Sequence, residues 1–410
     1  MKNNNREKFY GWRVLVGCVL CMFLMQGLVQ TFAVLMPTIV KESGWELSKV
    51  ALCSTCASTS AFLANLALIP LLKKISARKM LVYGTVLLII CMIIYSISPN
   101  VYTMWLGAAI GGVGMAWVTV APCTILITNW FIKNRSQYVA TAVAGSMFGS
   151  VVLNPTAALL ADRFSWRIAY RINGLACSAI TLAAILFLIR ETPEEVGQKP
   201  YGAGEQKEET AVQVGGVSAK EARSSLCYVL LLIGTFLIGF STNIENFMPA
   251  FWQSRGLSAV NSSLVLSAYA LFAAFISIGM SKVNDRLGGR NYVLLTCLMF
   301  IGSVLIMCFT GVTESMVLLV LCCIPFAAGS KKACTLTPPL VVAEAFGRAH
   351  YSKIIGAFTA MMQLGIASSN FVIGPLAERS YELSFLSMLG VNLVATACIF
   401  IALVKKPYRT

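Results

Sequence analysis

Apolar residues fall in long runs along nearly the whole chain, separated by short polar intervals. Twelve runs stand out, near 13–36, 47–72, 81–98, 104–127, 137–160, 169–189, 226–250, 262–281, 291–311, 316–339, 353–376 and 385–404. A helix needs about 20 apolar residues to cross the hydrocarbon core of a bilayer. Most of the runs meet that length, so the pattern predicts an all-α integral membrane protein with twelve transmembrane helices. The one long polar interval, 190–224, is rich in charge, Gly and Gln and poor in aromatics, and reads as a cytosolic linker. It divides the chain into two six-helix bundles, 1–189 and 225–410.

The two bundles repeat one another. Met36-Pro37 returns as Met248-Pro249, Gly44 as Gly256 and Arg78 as Arg290, all at one constant offset. Gly145 and Pro155 return as Gly365 and Pro375 at a slightly longer one, followed by Asp162-Arg163 and Glu378-Arg379. With six helices in each, both repeats enter and leave the membrane the same way round. An axis along the membrane normal then relates them, and the pair encloses a central cavity.

Composition matters here for what it excludes. A chain that is 57% hydrophobic and 12% charged, with a mean hydropathy of +0.76, is no soluble domain. The net charge of +15 invites a nucleic-acid reading, but its placement argues for topology. With both ends cytosolic, about 23 of the 32 Lys and Arg residues fall in cytosolic segments and about seven outside, so no polyanionic partner is expected. One outside segment runs against this bias, with Arg163, Arg167 and Arg171. The 14 cysteines lie mostly within apolar runs and read as packing residues. The pairs Cys18/Cys21 and Cys53/Cys56 would each share a helix face, and His350 is the sole histidine, so no metal site is expected. The first run is too long for a cleaved signal peptide and lacks a small-x-small site. No G-x-x-x-x-G-K-[ST] loop occurs, and Gly107, Gly111, Gly112 and Gly114 read as helix packing. Neither a cofactor nor an enzymatic activity is expected.

The candidate site comes from polar residues that interrupt apolar runs. The run Met316 to Ile324 is too short to cross, so its helix must carry Lys331, and Lys332 beside it, partway into the membrane. A charge near the bilayer centre costs at least about 3 kcal/mol and usually marks a cavity or pathway. Adjacent helical side chains point about 100° apart, so one lysine is expected to face the cavity. A helix seated higher would let both snorkel to water. Glu245 is the one acid well inside an apolar run, and Thr242, Glu245, Asn246 and Pro249 share a face. Glu245 is a candidate proton carrier or ion-pair partner. Gln26 and Gln30 form the matching stripe on the first helix, and polar residues with proline let such helices bend around a site. Trp117 stands near the repeat position of Lys332 and is a candidate cavity wall.

The loop Asn284-Asp285-Arg286-Leu287-Gly288-Gly289-Arg290 resembles the D-R-x-G-x-R signature of the major facilitator superfamily. An acid there can meet a helix N-terminus or an arginine, and a glycine allows a tight turn. Asp285, Arg286, Gly288 and Arg290 are therefore the candidate conformational latch. In the first-half copy the acid has become Lys73 and the glycine Ser76. Within the superfamily the chain is most similar to the oxalate/formate exchanger and monocarboxylate transporter branch, at four places. These are Tyr10-Gly11-Trp12-Arg13-Val14, Asn129-Trp130-Phe131, Glu191-Thr192-Pro193-Glu194-Glu195-Val196-Gly197 and Glu344-Ala345-Phe346-Gly347.

The Lys/Arg distribution predicts that both termini and 190–224 are cytosolic, and the resemblance implies a secondary active transporter in the cytoplasmic membrane. It would move a small, monocarboxylate-like organic anion by alternating access, as symporter with protons or antiporter with a counter-solute. The branch's usual charges are missing. Its carriers commonly have a lysine in the first helix where this chain has Gln30, and charged residues in helix eight, where 262–281 has none. Oxalate exchangers use a lysine within helix eleven, where this chain has only Lys353 at the start. Lys331 and Lys332 are expected to substitute. The alternative is an exporter of amphipathic or drug-like solutes, whose glycine-rich helix-five motif is reduced here to Asn154-Pro155-Thr156. A third reading is a transporter-like solute sensor signalling through 190–224.

Overall fold

A computed structural model describes residues 9–72, 74–118, 120–202, 217–309, 315–347, 350–405 and 407. They form long helices, which we number α1 (Gly11–Ser43), α2 (Leu47–Leu72), α3 (Ala77–Ile97), α4 (Val101–Trp130), α5 (Arg135–Arg163) and α6 (Trp166–Phe187). After the linker come α7 (Leu226–Ser254), α8 (259–287), α9 (289–309), α10 (316–346), α11 (Tyr351–Arg379) and α12 (Tyr381–Val404). Helices α8 and α9 run on from one another and are separated at Gly288, whose φ of 74° and ψ of 157° no side-chain-bearing residue adopts easily. Ten spans among the described residues are long and apolar enough to cross a membrane. In α8 and α10 the apolar stretches are shorter, Ala259–Ala273 and Met316–Ser330.

Most helices extend a turn beyond the apolar runs, because polar residues cap their ends. Ser76, Ser165, Ser225 and Ser380 each accept a hydrogen bond from the backbone N–H three residues on, opening α3, α6, α7 and α12. Arg167 and Arg171, the charges that defy the topological bias, are tied to the end of α3. Arg167 Nη2 donates to the Ser98 carbonyl at 3.0 Å and lies over the Trp166 ring, and Arg171 Nε donates to Ser96 Oγ at 3.1 Å. A cation at a helix C-terminus meets its unpaired carbonyls and negative dipole end.

The repeat read in the sequence is a repeat of geometry. Gly44 and Gly256, at φ 70° and 97°, follow the last turns of α1 and α7 in the left-handed conformation. Gly27 and Gly239, spaced like Gly44 and Gly256, sit where α1 crosses α5 and α7 crosses α11. A Cβ on Gly27 would strike the Gly149 backbone, and one on Gly239 the Met362 carbonyl. The first six helices thus pack among themselves, as do the last six, and the two sets meet along α2 with α11 and α5 with α8.

Family-marking motifs collect at the linker end of the bundle. The Trp130 indole donates to the Arg190 carbonyl at 3.0 Å, and Asn129 Nδ2 to the Glu191 carbonyl at 3.2 Å. The Tyr10 N–H donates to Gln198 Oε1 at 2.8 Å. Rings of Phe9, Tyr10, Trp12, Trp130, Phe131, Tyr138 and Tyr201 stack around this point. The Glu191 carboxylate accepts from the N–H groups of Ala77 and Arg78, at 2.9 and 2.8 Å, and so caps α3. In the other half Glu344 caps α9, accepting from the Gly289 N–H at 2.8 Å. Glu191 and Glu344 come from unrelated places in the repeat, yet serve helix starts, at Ala77 and Gly289, that the repeat relates. The linker's other end is held by Val217 N–H to the Phe346 carbonyl.

Candidate transport cavity

Three of the long helices lose α geometry partway across, and each does so at a residue singled out by the sequence. In α1 the break is a π turn, Met22–Gln26; in α7 a 3-10 turn, Asn243–Phe247; in α10 a π turn, Ala328–Lys332. Such turns inside a membrane helix free backbone groups and shift side chains, and they are frequent at functional sites.

Two cavities meet at the first two breaks. The larger, about 350 Å³, runs from α1, α2, α3, α4 and α6 to α7 and α11. The smaller, about 130 Å³, lies between α1, α5, α7 and α8. Gln26, Gln30, Glu245 and Asn246 line both. Four residues chosen from two helices in opposite halves of the chain are thus brought to one place. The Glu245 carboxylate accepts from the Tyr269 hydroxyl at 2.7 Å, bridging α7 to α8. Asn246 Nδ2 donates to Asn243 Oδ1 at 2.6 Å. The far wall of the larger cavity is apolar, with Leu88, Met92, Tyr95 and Ala108.

The other expected residues are placed differently. Thr242 is buried and spends its hydroxyl on the Ile238 carbonyl at 2.7 Å; it lines neither cavity. Trp117 also lines neither, and its backbone packs against Gly84 of α3. Lys331 and Lys332 close the π turn of α10, and their side chains lie outside the described residues. So does the side chain of Asp285. Gly288 makes the corner between α8 and α9, Arg286 is exposed, and the Arg290 guanidinium lies over the Phe400 ring at 4.6 Å. Arg78, its partner in the repeat, reaches the end of α6, donating to the Leu186 carbonyl at 3.0 Å.

The structure adds Tyr170 and Asn370, which carry no sequence signal named above, and places Asn154, quoted above only within the helix-five motif, at a cavity. Tyr170 lines the larger cavity and Asn154 the smaller; the Tyr170 hydroxyl and Asn154 Oδ1 are buried with no hydrogen-bond partner among the described residues. Asn370 Nδ2 donates across the seam between the two sets of helices, to Ser54 Oγ at 2.6 Å and Thr55 Oγ1 at 3.0 Å. Asparagines within apolar runs were the available signal, since a polar residue in a membrane helix needs a partner or a purpose.

The described residues form long helices related in two sets around a cavity at helix breaks, which defines a multi-pass membrane transporter. The chain belongs to the Major Facilitator Superfamily, whose family model matches residues 18–340. It is 22% identical to mouse (Mus musculus) monocarboxylate transporter 12 over 441 aligned residues, covering 98% of this chain and 87% of that one. It is 24% identical to the MFS-type transporter pynF of Aspergillus niger over 308 residues, 74% of this chain and 67% of the relative. Among solved structures, the nucleoside transporter NupG superposes with a TM-score of 0.74 at 14% identity, covering 97% of this chain and 100% of that one. An inward-facing, unoccupied bacterial homologue of the human lysosomal transporter Spinster gives 0.77 at 13%, covering 98% and 99%. At such identities the structures speak for the fold alone.

Proposed function

We propose that the protein is a secondary active transporter that moves a monocarboxylate-like organic anion across the cytoplasmic membrane by alternating access. The observation that carries this reading is the cavity formed where α1 and α7 lose α geometry, with Gln26, Gln30 and Asn246 offering amide donors from both sets of helices. The alignment with monocarboxylate transporter 12 across nearly the whole chain supports the substrate class. In this reading 1–189 and 225–410 are the two moving bodies, 190–224 joins them in the cytosol, and Lys331 or Lys332 on the α10 break supplies the counter-charge. Asp285, Arg286, Gly288 and Arg290 hold the loop that restrains the two bodies at the cytosolic rim.

A second reading is favoured by the lining itself. Among the described residues of both cavities, the one formally charged side chain is the Glu245 carboxylate, and much of the remaining wall is apolar. That surface suits an amphipathic solute, the class an exporter of drug-like compounds would carry.

A thermal-shift screen of the purified protein with monocarboxylates and amphipathic amines separates the two, because a ligand that binds only the folded state raises Tm. A shift by monocarboxylates whose midpoint concentration Lys331→Gln or Lys332→Gln raises about a hundredfold or more is the expected result, since breaking a buried charge pair costs about 3–5 kcal/mol. One replacement should act far more than the other. A shift by amines alone, untouched by both replacements, overturns the anion reading.

A further inference from the structure

The ceiling of the larger cavity is a chain of amides that ends in the seam between the two sets of helices. Asn246, at the cavity, donates to Asn243 Oδ1 at 2.6 Å. Asn243 Nδ2 donates to Asn370 Oδ1 at 2.9 Å and to Ser369 Oγ at 2.8 Å. Asn370 Nδ2 then crosses from α11 to Ser54 and Thr55 of α2. Thr55 returns a bond to the Ala367 carbonyl at 2.8 Å. Three of the links, Asn243, Asn370 and Thr55, are buried. A buried amide left without a partner is costly, so the chain holds together or breaks as a unit.

Its position gives the chain a direction. Ser54 and Ile366 line the cavity, and Asn370 lies one turn beyond Ile366. Beyond that again, at the end away from the linker, the Ser48 N–H donates to Glu378 Oε1 at 2.7 Å. The chain therefore sits between the cavity and the end at which the two sets of helices are closed on each other. A solute atom that accepts from the second N–H of Asn246 binds the same amide group that begins the chain, so its position bears on the first link.

The geometry points to Asn370, reached from the cavity through the lining residue Asn243, as a positioning residue that couples occupancy of the cavity to opening of the seam at the end away from the linker. Asn370 lines neither cavity, so it acts on the equilibrium between states and not on the bound solute. The inference rests on the alternating-access reading above.

The test uses a Ser58→Cys reporter on the cavity wall of α2, in full-length protein whose native cysteines are replaced, reconstituted in vesicles. A membrane-impermeant thiol reagent is applied to each face separately. Reaction from the linker face, retained in every variant, shows that the bundle is folded. Asn370→Ala should raise reaction from the opposite face about tenfold, the worth of one or two net hydrogen bonds. Thr55→Val should raise it a few-fold, and Thr55→Ser, which keeps the hydroxyl, should restore it. In an Asn246→Ala background the effect of Asn370→Ala should shrink to about twofold, because members of one network are not additive. Equal reaction in all variants, or an undiminished Asn370→Ala effect in that background, overturns the coupling and leaves alternating access standing. No reaction from the opposite face in any protein, unsubstituted at these positions included, overturns both.

Discussion

The two seams that join the halves occupy repeat-related places and are built differently. Along α2 and α11 the contact is polar and crosses from one helix to the other: Asn370 to Ser54 and Thr55, and Thr55 to Ala367. Along α5 and α8 four serine hydroxyls turn inward on their own helices. Ser146, Ser150, Ser263 and Ser267 donate to the carbonyls of Val143, Met147, Val260 and Ser263. Ser150 stands to Asn370 as Gly145 stands to Gly365, so the same repeat position carries a bridging amide in one half and a self-satisfied hydroxyl in the other. An intrahelical hydroxyl costs nothing when helices slide or part. A bridging amide must lose its partners, so parting the α2–α11 seam costs more than parting the other.

The largest effect should come from filling a close backbone approach in that seam, at Gly374. A Cβ on Gly374 would lie 2.9 Å from Ser48 Cα, backbone against backbone. Overpacking costs about 1–3 kcal/mol, so Gly374→Val should reduce the population closed at this end about tenfold to a hundredfold. Side-specific thiol labelling reads this directly; unchanged labelling would show that the close approach is not under tension. A tenfold change on Asn370→Ala, as above, comes next. Smallest is the other seam: Ser267→Ala removes one intrahelical bond and should alter labelling from either face less than about twofold. A larger change than Asn370→Ala produces would reverse the ranking of the seams.

Much of the fold was legible because it depends on short-range pattern. Run lengths give the spans, and the repeat shows through residues whose job is backbone geometry, such as Gly27 with Gly239 and Gly44 with Gly256. The stripe of Gln26, Gln30, Glu245 and Asn246 was legible too, since polar residues inside an apolar run are conspicuous. Ser54, Thr55 and Asn370 were not. Serine and threonine can satisfy a hydroxyl on the preceding turn, so in sequence they look neutral, and the Asn370 partners lie in the opposite half of the chain. Likewise Glu191 and Glu344, quoted as parts of family motifs, are helix caps at the linker end and not lining of the cavity. Removing the first should show the difference: Glu191→Gln keeps the shape but weakens a charge-assisted cap on α3 by about 1 kcal/mol. It should lower Tm by a few degrees without changing solute affinity, and a loss of affinity would place the motif in the transport site after all.

If the cavity between the halves is a passage and not merely a binding site, solute must cross through it. Counterflow tests it most directly: vesicles loaded with an unlabelled solute identified by thermal shift, then exposed to its labelled form with no ATP present. A passage gives transient accumulation of label inside, abolished when Ser48→Cys and Glu378→Cys are cross-linked to hold the α2–α11 seam shut. Binding of the solute without counterflow, or counterflow that persists undiminished through the cross-link, would contradict it.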